Sequence, residues 1–150
     1  CCDMIHGRVH PLGKKLYDEL GITNCMSIPV AHCLRSYAVV IDGTSFGKVA
    51  YRGDCRPSNR FADVGFGADL LIHEATFEDG MEDDAVLKRH STLGEAIDVA
   101  TKMKAKSLVL THFSQRYPKI PPMTVAGANR QVTMVMIFMD SFNLTFRLFI

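Results

Sequence analysis

The chain of 150 residues is about one domain long, and with 47% hydrophobic residues it can bury a core. Its 17 basic and 16 acidic side chains leave a formal charge of +1, which excludes a polyanion binder acting through overall charge and leaves only a local basic groove open. No apolar run approaches the roughly 20 residues of a membrane span and no signal pattern opens the chain, while an odd count of five cysteines without framework spacing points to a reducing compartment.

Gly13 to Gly21 has Leu16 and Leu20 four apart and a glycine at its end, which predicts a short surface helix with a C-terminal cap. Ile28 to His32, Ala38 to Ile41 and Lys48 to Tyr51 are apolar and β-branched and read as successive strands, with Asp42-Gly43 opening a hairpin or loop. Asp69 to Ile72 and Ser107 to Thr111 are short, continuously apolar strands separated by helical segments, the rhythm of an α/β layer. A helix is predicted from Thr92 to Lys104, where Leu93, Ala96, Ile97, Ala100 and Met103 recur at helical spacing. Thr92 with Glu95 has the pattern of a capping box, and Lys102 and Lys104 suit the negative end. A weaker helix covers Met81 to Arg89, so the acidic cluster from Glu78 to Asp84 reads as a solvated helix start rather than a metal site. After the rigid Pro118 to Pro122 loop, Val132 to Phe138 and Leu144 to Ile150 read as core strands or as edges that need cover.

Chemistry concentrates where strands end. His32, Asp54, the pair His73-Glu74 and His112 each stand at or just past the carboxyl end of an apolar strand. Strands that finish at one sheet edge bring such side chains together, and imidazoles with a carboxylate make a suitable ligand set for zinc or a similar divalent ion. A lone histidine after a strand is more often structural, so joint occurrence carries the inference. Gly53 before Asp54 is expected to allow a sharp turn. His73 reads as structural, His6 and His10 as loop residues, and Cys33 and Cys55 as packing residues beside ligands.

The strings Gly53-Asp54, His73-Glu-Ala-Thr76, His90-Ser-Thr92 and His112-Phe-Ser-Gln-Arg-Tyr117, in this order, resemble the carboxyl-terminal part of the ribonuclease Z family, the transfer RNA 3′-processing endonucleases, in their long eukaryotic form. The resemblance runs from Leu20-Gly21-Ile22 to Tyr117. It implies the carboxyl-terminal part of an αββα metallo-β-lactamase-like sandwich, with residues 1–150 forming a partial catalytic domain. It also implies two zinc ions, with His32 on one, His112 on the other and Asp54 bridging. His90 would give a proton to the leaving 3′ oxygen, with Glu74 orienting it, and Arg116 would contact a substrate phosphate or else pair with a surface carboxylate. Precursor transfer RNA would be the substrate, and the compartment would be the nucleus, the mitochondrion or both.

The family's His-x-His-x-Asp-His motif is absent from the chain, so the remainder of a longer polypeptide is expected to complete the site. Arg52 stands where the family usually has serine, Cys55 where it has threonine and Ala38 where glycine is common. Two rival readings are another metallo-β-lactamase-fold phosphodiesterase and a non-catalytic half-domain that scaffolds or binds RNA.

Overall fold

A computed structural model describes residues 11–114, 133–140 and 143–149. Its strands are β1 (Ile22–Pro29), β2 (Tyr37–Gly43), β3 (Gly47–Tyr51), β4 (Leu70–Glu74), β5 (Ser107–Thr111), β6 (Thr133–Asp140) and β7 (Asn143–Phe149), and they lie in chain order in one sheet. The helices are α1 (Pro11–Leu20), α2 (Asn59–Val64), α3 (Glu82–Lys88) and α4 (Leu93–Met103).

The β1-β2 and β2-β3 pairs are antiparallel, the steps from β3 to β6 are parallel, and β7 turns back along β6. Two reversals return β3 to the direction of β1, so β1, β3, β4 and β5 all end at one edge. The β2-β3 hairpin closes where Gly43 faces Gly47, whose φ of 72° lies in the left-handed region that glycine tolerates. Parallel neighbours need a crossover: α2 joins β3 to β4, and α3 with α4 joins β4 to β5.

Alternate residues of the strands face the helices. Ala38 and Val40 of β2, Ala50 of β3, Leu71 of β4 and Leu108 and Leu110 of β5 are buried with Phe61 and Ala62 of α2 and with Ala96, Val99, Ala100 and Met103 of α4. Each fully buried leucine contributes about 1.5–3 kcal/mol through removal from water. Ile41, Leu70, Ile72 and Val109, on the alternate face, are half-buried.

The capping box forms as read: the Thr92 side chain accepts from the Glu95 amide at 3.3 Å, and the Glu95 carboxylate accepts from the Thr92 amide at 2.9 Å. Glu82, Asp83 and Asp84 open α3, which agrees with a solvated helix start, and Gly21 closes α1 with φ 64°.

Two elements depart from the sequence reading. The first strand lies at Ile22–Pro29 instead of Ile28 to His32, because Thr23, Asn24 and Ser27 dilute its apolar character while the chain still pairs along β2. Helix α2 was not anticipated; its signal is Ser58, whose hydroxyl accepts from the Phe61 amide and whose successors Phe61 and Ala62 are buried.

Candidate metal centre

Four loops meet at the common strand edge. His32 follows β1, Asp54 follows β3, Glu74 is the last residue of β4 and His112 is the first residue after β5, while His90 comes in from the turn between α3 and α4. Backbone hydrogen bonds join these loops: the Arg56 amide donates to the Ala31 carbonyl at 3.0 Å, Ala75 to Thr111 at 2.9 Å and Ser114 to Thr76 at 3.3 Å. His112 holds a left-handed backbone with φ 59°, a conformation that costs a non-glycine residue about 1–3 kcal/mol and is common at functional sites.

Both predicted histidine ligands face the same carboxylate oxygen. Asp54 Oδ2 lies 3.4 Å from His112 Nε2 and 4.0 Å from His32 Nε2. His32 Nδ1 lies 3.0 Å from the Arg89 carbonyl oxygen, and because a carbonyl only accepts, that nitrogen carries the proton. Its Nε2 is then the nitrogen turned toward Asp54, at a distance too long for a hydrogen bond. A hydrogen-bonded second nitrogen is the usual support of a metal-binding imidazole. Two ligand atoms on one tetrahedral zinc stand about 3.4 Å apart by the bond lengths of such sites, so the donor set fits the ion.

The His90 ring neighbours both predicted ligands. Its ring centroid is 5.0 Å from that of His32, edge-on, and 5.6 Å from that of His112, stacked at 20°. Ligand-capable atoms of His32, Asp54 and His90 all lie within 4.8 Å of one another, a grouping that the sequence reading, with His112 in the third place, did not contain. The other side of the His90 ring is engaged: Nδ1 lies 3.2 Å from Glu74 Oε1 and 3.3 Å from Thr76 Oγ1.

Glu74 is fully buried and acts as an acceptor on both oxygens. Oε1 receives the amides of Cys55 at 3.1 Å and Ser91 at 2.9 Å, and Oε2 receives the Thr76 amide at 2.9 Å and its hydroxyl at 2.6 Å. The Ser91 hydroxyl donates in turn to the Cys55 carbonyl at 2.6 Å. One carboxylate thereby fixes the loop that carries Asp54, the loop after β4 and the turn that carries His90.

The two departures beside Asp54 contact each other. Buried Arg52 donates from Nε and Nη2 to Cys55 Sγ at 2.8 and 2.7 Å, donates to the Arg56 carbonyl and lies over the Phe61 ring, while the thiol donates to the Gly53 carbonyl. Burial pushes the Cys55 thiol pKa up against the pull of the Arg52 guanidinium, which favours the protonated, donating form. Gly53 plays a smaller part than expected, since its φ is not positive and a Cβ there would meet only the Tyr51 hydroxyl at 3.7 Å.

His73 is fully buried, as the sequence suggested for a structural residue, and its Nδ1 donates to the Glu74 carbonyl. Burial, reinforced by nearby Arg52, lowers its pKa from 6.5 to about 3. A buried neutral histidine binds fewer protons folded than unfolded, so its contribution is fully present above pH 6.5 and is lost as pH falls toward 3. The unfolding free energy should fall by up to about 1.4 kcal/mol per pH unit across that window, and denaturant titrations of His73→Phe should show a flatter acid limb. Equal slopes in both proteins would refute the assignment.

Cys33 corrects the sequence reading, for it is exposed rather than packed, with Sγ 2.9 Å from Ser36 Oγ. Arg116, His6 and His10 lie outside the described residues. Sequence reasoning missed Thr76 and Ser91, although both stand inside strings that it quoted. It also missed Arg56 and Arg89, for which neither spacing nor composition gives a sign. Among the described residues no helix is long and apolar enough to cross a membrane.

No family model matches the chain. Over 121 residues it is 43% identical to ribonuclease Z 1 of Schizosaccharomyces pombe, which takes in 81% of this chain and 15% of that protein. Over 118 residues it is 46% identical to an Arabidopsis thaliana protein named tRNase Z TRZ3, mitochondrial, taking in 72% of this chain and 13% of that one. A human relative, 48% identical over 92 residues, 61% of this chain and 11% of its own, is named zinc phosphodiesterase ELAC protein 2. A solved long-form RNase Z from yeast matches with TM-score 0.73 and 39% identity over 85% of this chain and 18% of its own. The metallo-β-lactamase-fold protein YhfI from Bacillus subtilis matches with TM-score 0.55 and 28% identity over 61% and 36%. The chain spans no more than 15% of these curated relatives.

Proposed function

The chain is a homologue of part of ribonuclease Z with a metallo-β-lactamase-type architecture, and from that premise we propose that it contributes to a zinc-dependent endoribonuclease removing the 3′ trailer of precursor transfer RNA. The observation that carries this reading is the convergence of His32 and His112 on one oxygen of Asp54. His32 and His112 would each hold one of two zincs and Asp54 would bridge them, with the remaining ligands coming from the rest of the polypeptide. Zinc would supply Lewis acidity for attack of water on the phosphodiester and counter-charge at the phosphorus.

The chain's own residues supply the rest. His90, beside both predicted ligands, would give its proton to the leaving 3′ oxygen, which leaves a hydroxyl on the transfer RNA. Glu74 would hold the ring with Nδ1 engaged and the opposite nitrogen toward the reacting bond. Arg116 would contact a substrate phosphate through its planar fork. The mitochondrial names of relatives support that compartment, and the sequence resemblance adds the nucleus.

The test is cleavage by the full polypeptide of a precursor transfer RNA that carries a 3′ trailer. Release of the intact trailer and a 3′ hydroxyl product are expected, with loss of activity on chelation and recovery on return of zinc. Tight binding of the same RNA without cleavage by zinc-loaded protein would instead establish the non-catalytic RNA-binding reading.

A further inference from the structure

We infer that Arg56 is a positioning residue that clamps the turn carrying His90 against the loop carrying Asp54. This rests on the proposed function, in which those two residues work together.

Arg56 stands two residues beyond Asp54 and reaches the loop after β1 and the turn that carries His90. Its amide donates to the Ala31 carbonyl, next to His32, at 3.0 Å. Its guanidinium donates from Nη1 to the His90 carbonyl at 2.5 Å and to Glu95 Oε2 at 2.8 Å, and from Nη2 to Glu95 Oε1. A two-pronged fork of this kind fixes orientation as well as distance, which a single ammonium cannot do. With side chains only 21% and 22% exposed, the pair is screened less than an ordinary surface ion pair.

Glu95 has two duties here. The oxygen that takes the Thr92 amide in the capping box also takes Arg56 Nη1, so the start of α4 and the Asp54 loop share one carboxylate, and Arg56 carries the link on to the His90 carbonyl. The His90 ring is held at its side chain by Glu74 and at its backbone by Arg56. Without the second hold, the imidazole keeps its partner while the turn beneath it can shift.

The capping box separates positioning from mere helix stability, since glutamine serves at its third position as glutamate does. Glu95→Gln therefore keeps the cap and removes the charge that binds Arg56. In the full polypeptide, hydrogen exchange at Ser91 and Thr92 should rise at least about tenfold in Arg56→Met and in Glu95→Gln, while interior amides of α4 such as Val99 keep their protection. Precursor cleavage should lose about 10- to 100-fold in kcat with KM within about twofold, as displacement of a reacting group does. Arg56→Lys should recover only part of this. On a His90→Ala background Arg56→Met should add no further loss.

Unchanged exchange at Ser91 and Thr92, or a uniform rise throughout α4, would overturn the clamp. An equal loss of kcat with and without His90 would do the same. If the wild-type protein cleaves no precursor transfer RNA while the local exchange pattern holds, the functional reading fails and the clamp stands.

Discussion

Asp54→Ala in the full polypeptide is expected to strip the site of zinc and to reduce cleavage to background. Both His32 and His112 approach Asp54 Oδ2, at 4.0 and 3.4 Å, so its removal leaves the two imidazoles without the anion between them that would balance a bound cation. The loss of affinity should exceed the roughly 10- to 100-fold that follows removal of a group one step away from a metal. The fold should persist, because Asp54 is only half-buried and the loop around it is held by the Cys55 amide on Glu74 and by Arg52. Zinc content measured beside a thermal melt checks this. A variant that melts normally and keeps as much zinc as the wild-type protein would remove Asp54 from the ligand set.

His90→Ala should give the opposite pattern: zinc retained and cleavage lower by about 10²- to 10⁴-fold, the range for a positioned acid or base. The prediction has a sharp edge, since His90 also lies within 4.8 Å of ligand atoms on His32 and Asp54 and could reach an ion. Its engagement with Glu74 and Thr76 argues for proton transfer instead. Loss of zinc from His90→Ala to the same degree as from Asp54→Ala would make it a ligand. A leaving group that needs no proton, such as a nitrophenolate ester, should be cleaved nearly as fast by the variant as by the wild-type protein.

Elements with a strong local signal were legible in the sequence. The Thr92 and Glu95 pair marked the start of α4, Asp42-Gly43 marked the hairpin, and the apolar runs at Asp69 to Ile72 and Ser107 to Thr111 became β4 and β5. Edge strand β1 was read six residues late because an edge strand keeps polar positions, and apolar density is a poor guide there. The convergence of His32, Asp54 and His112 could be read because parallel strands end together, a property of topology more than of any single residue.

The supporting groups were invisible for the complementary reason. Arg56 meets the His90 carbonyl across 34 positions of chain and Arg89 meets the His32 carbonyl across 57, and neither pairing leaves a trace in local spacing. The Arg52-Cys55 contact is a different case, for two side chains three apart at the exit of a strand can meet only if the loop curls back on itself.

The buried carboxyl of Glu74 also bears on how this molecule can be altered. In the proposed mechanism chemistry and assembly share that group, so no exchange at position 74 would retune the acid without also loosening the three chain segments tied to it. Selection for a new reaction would then have to leave that glutamate alone and act on the groups around it.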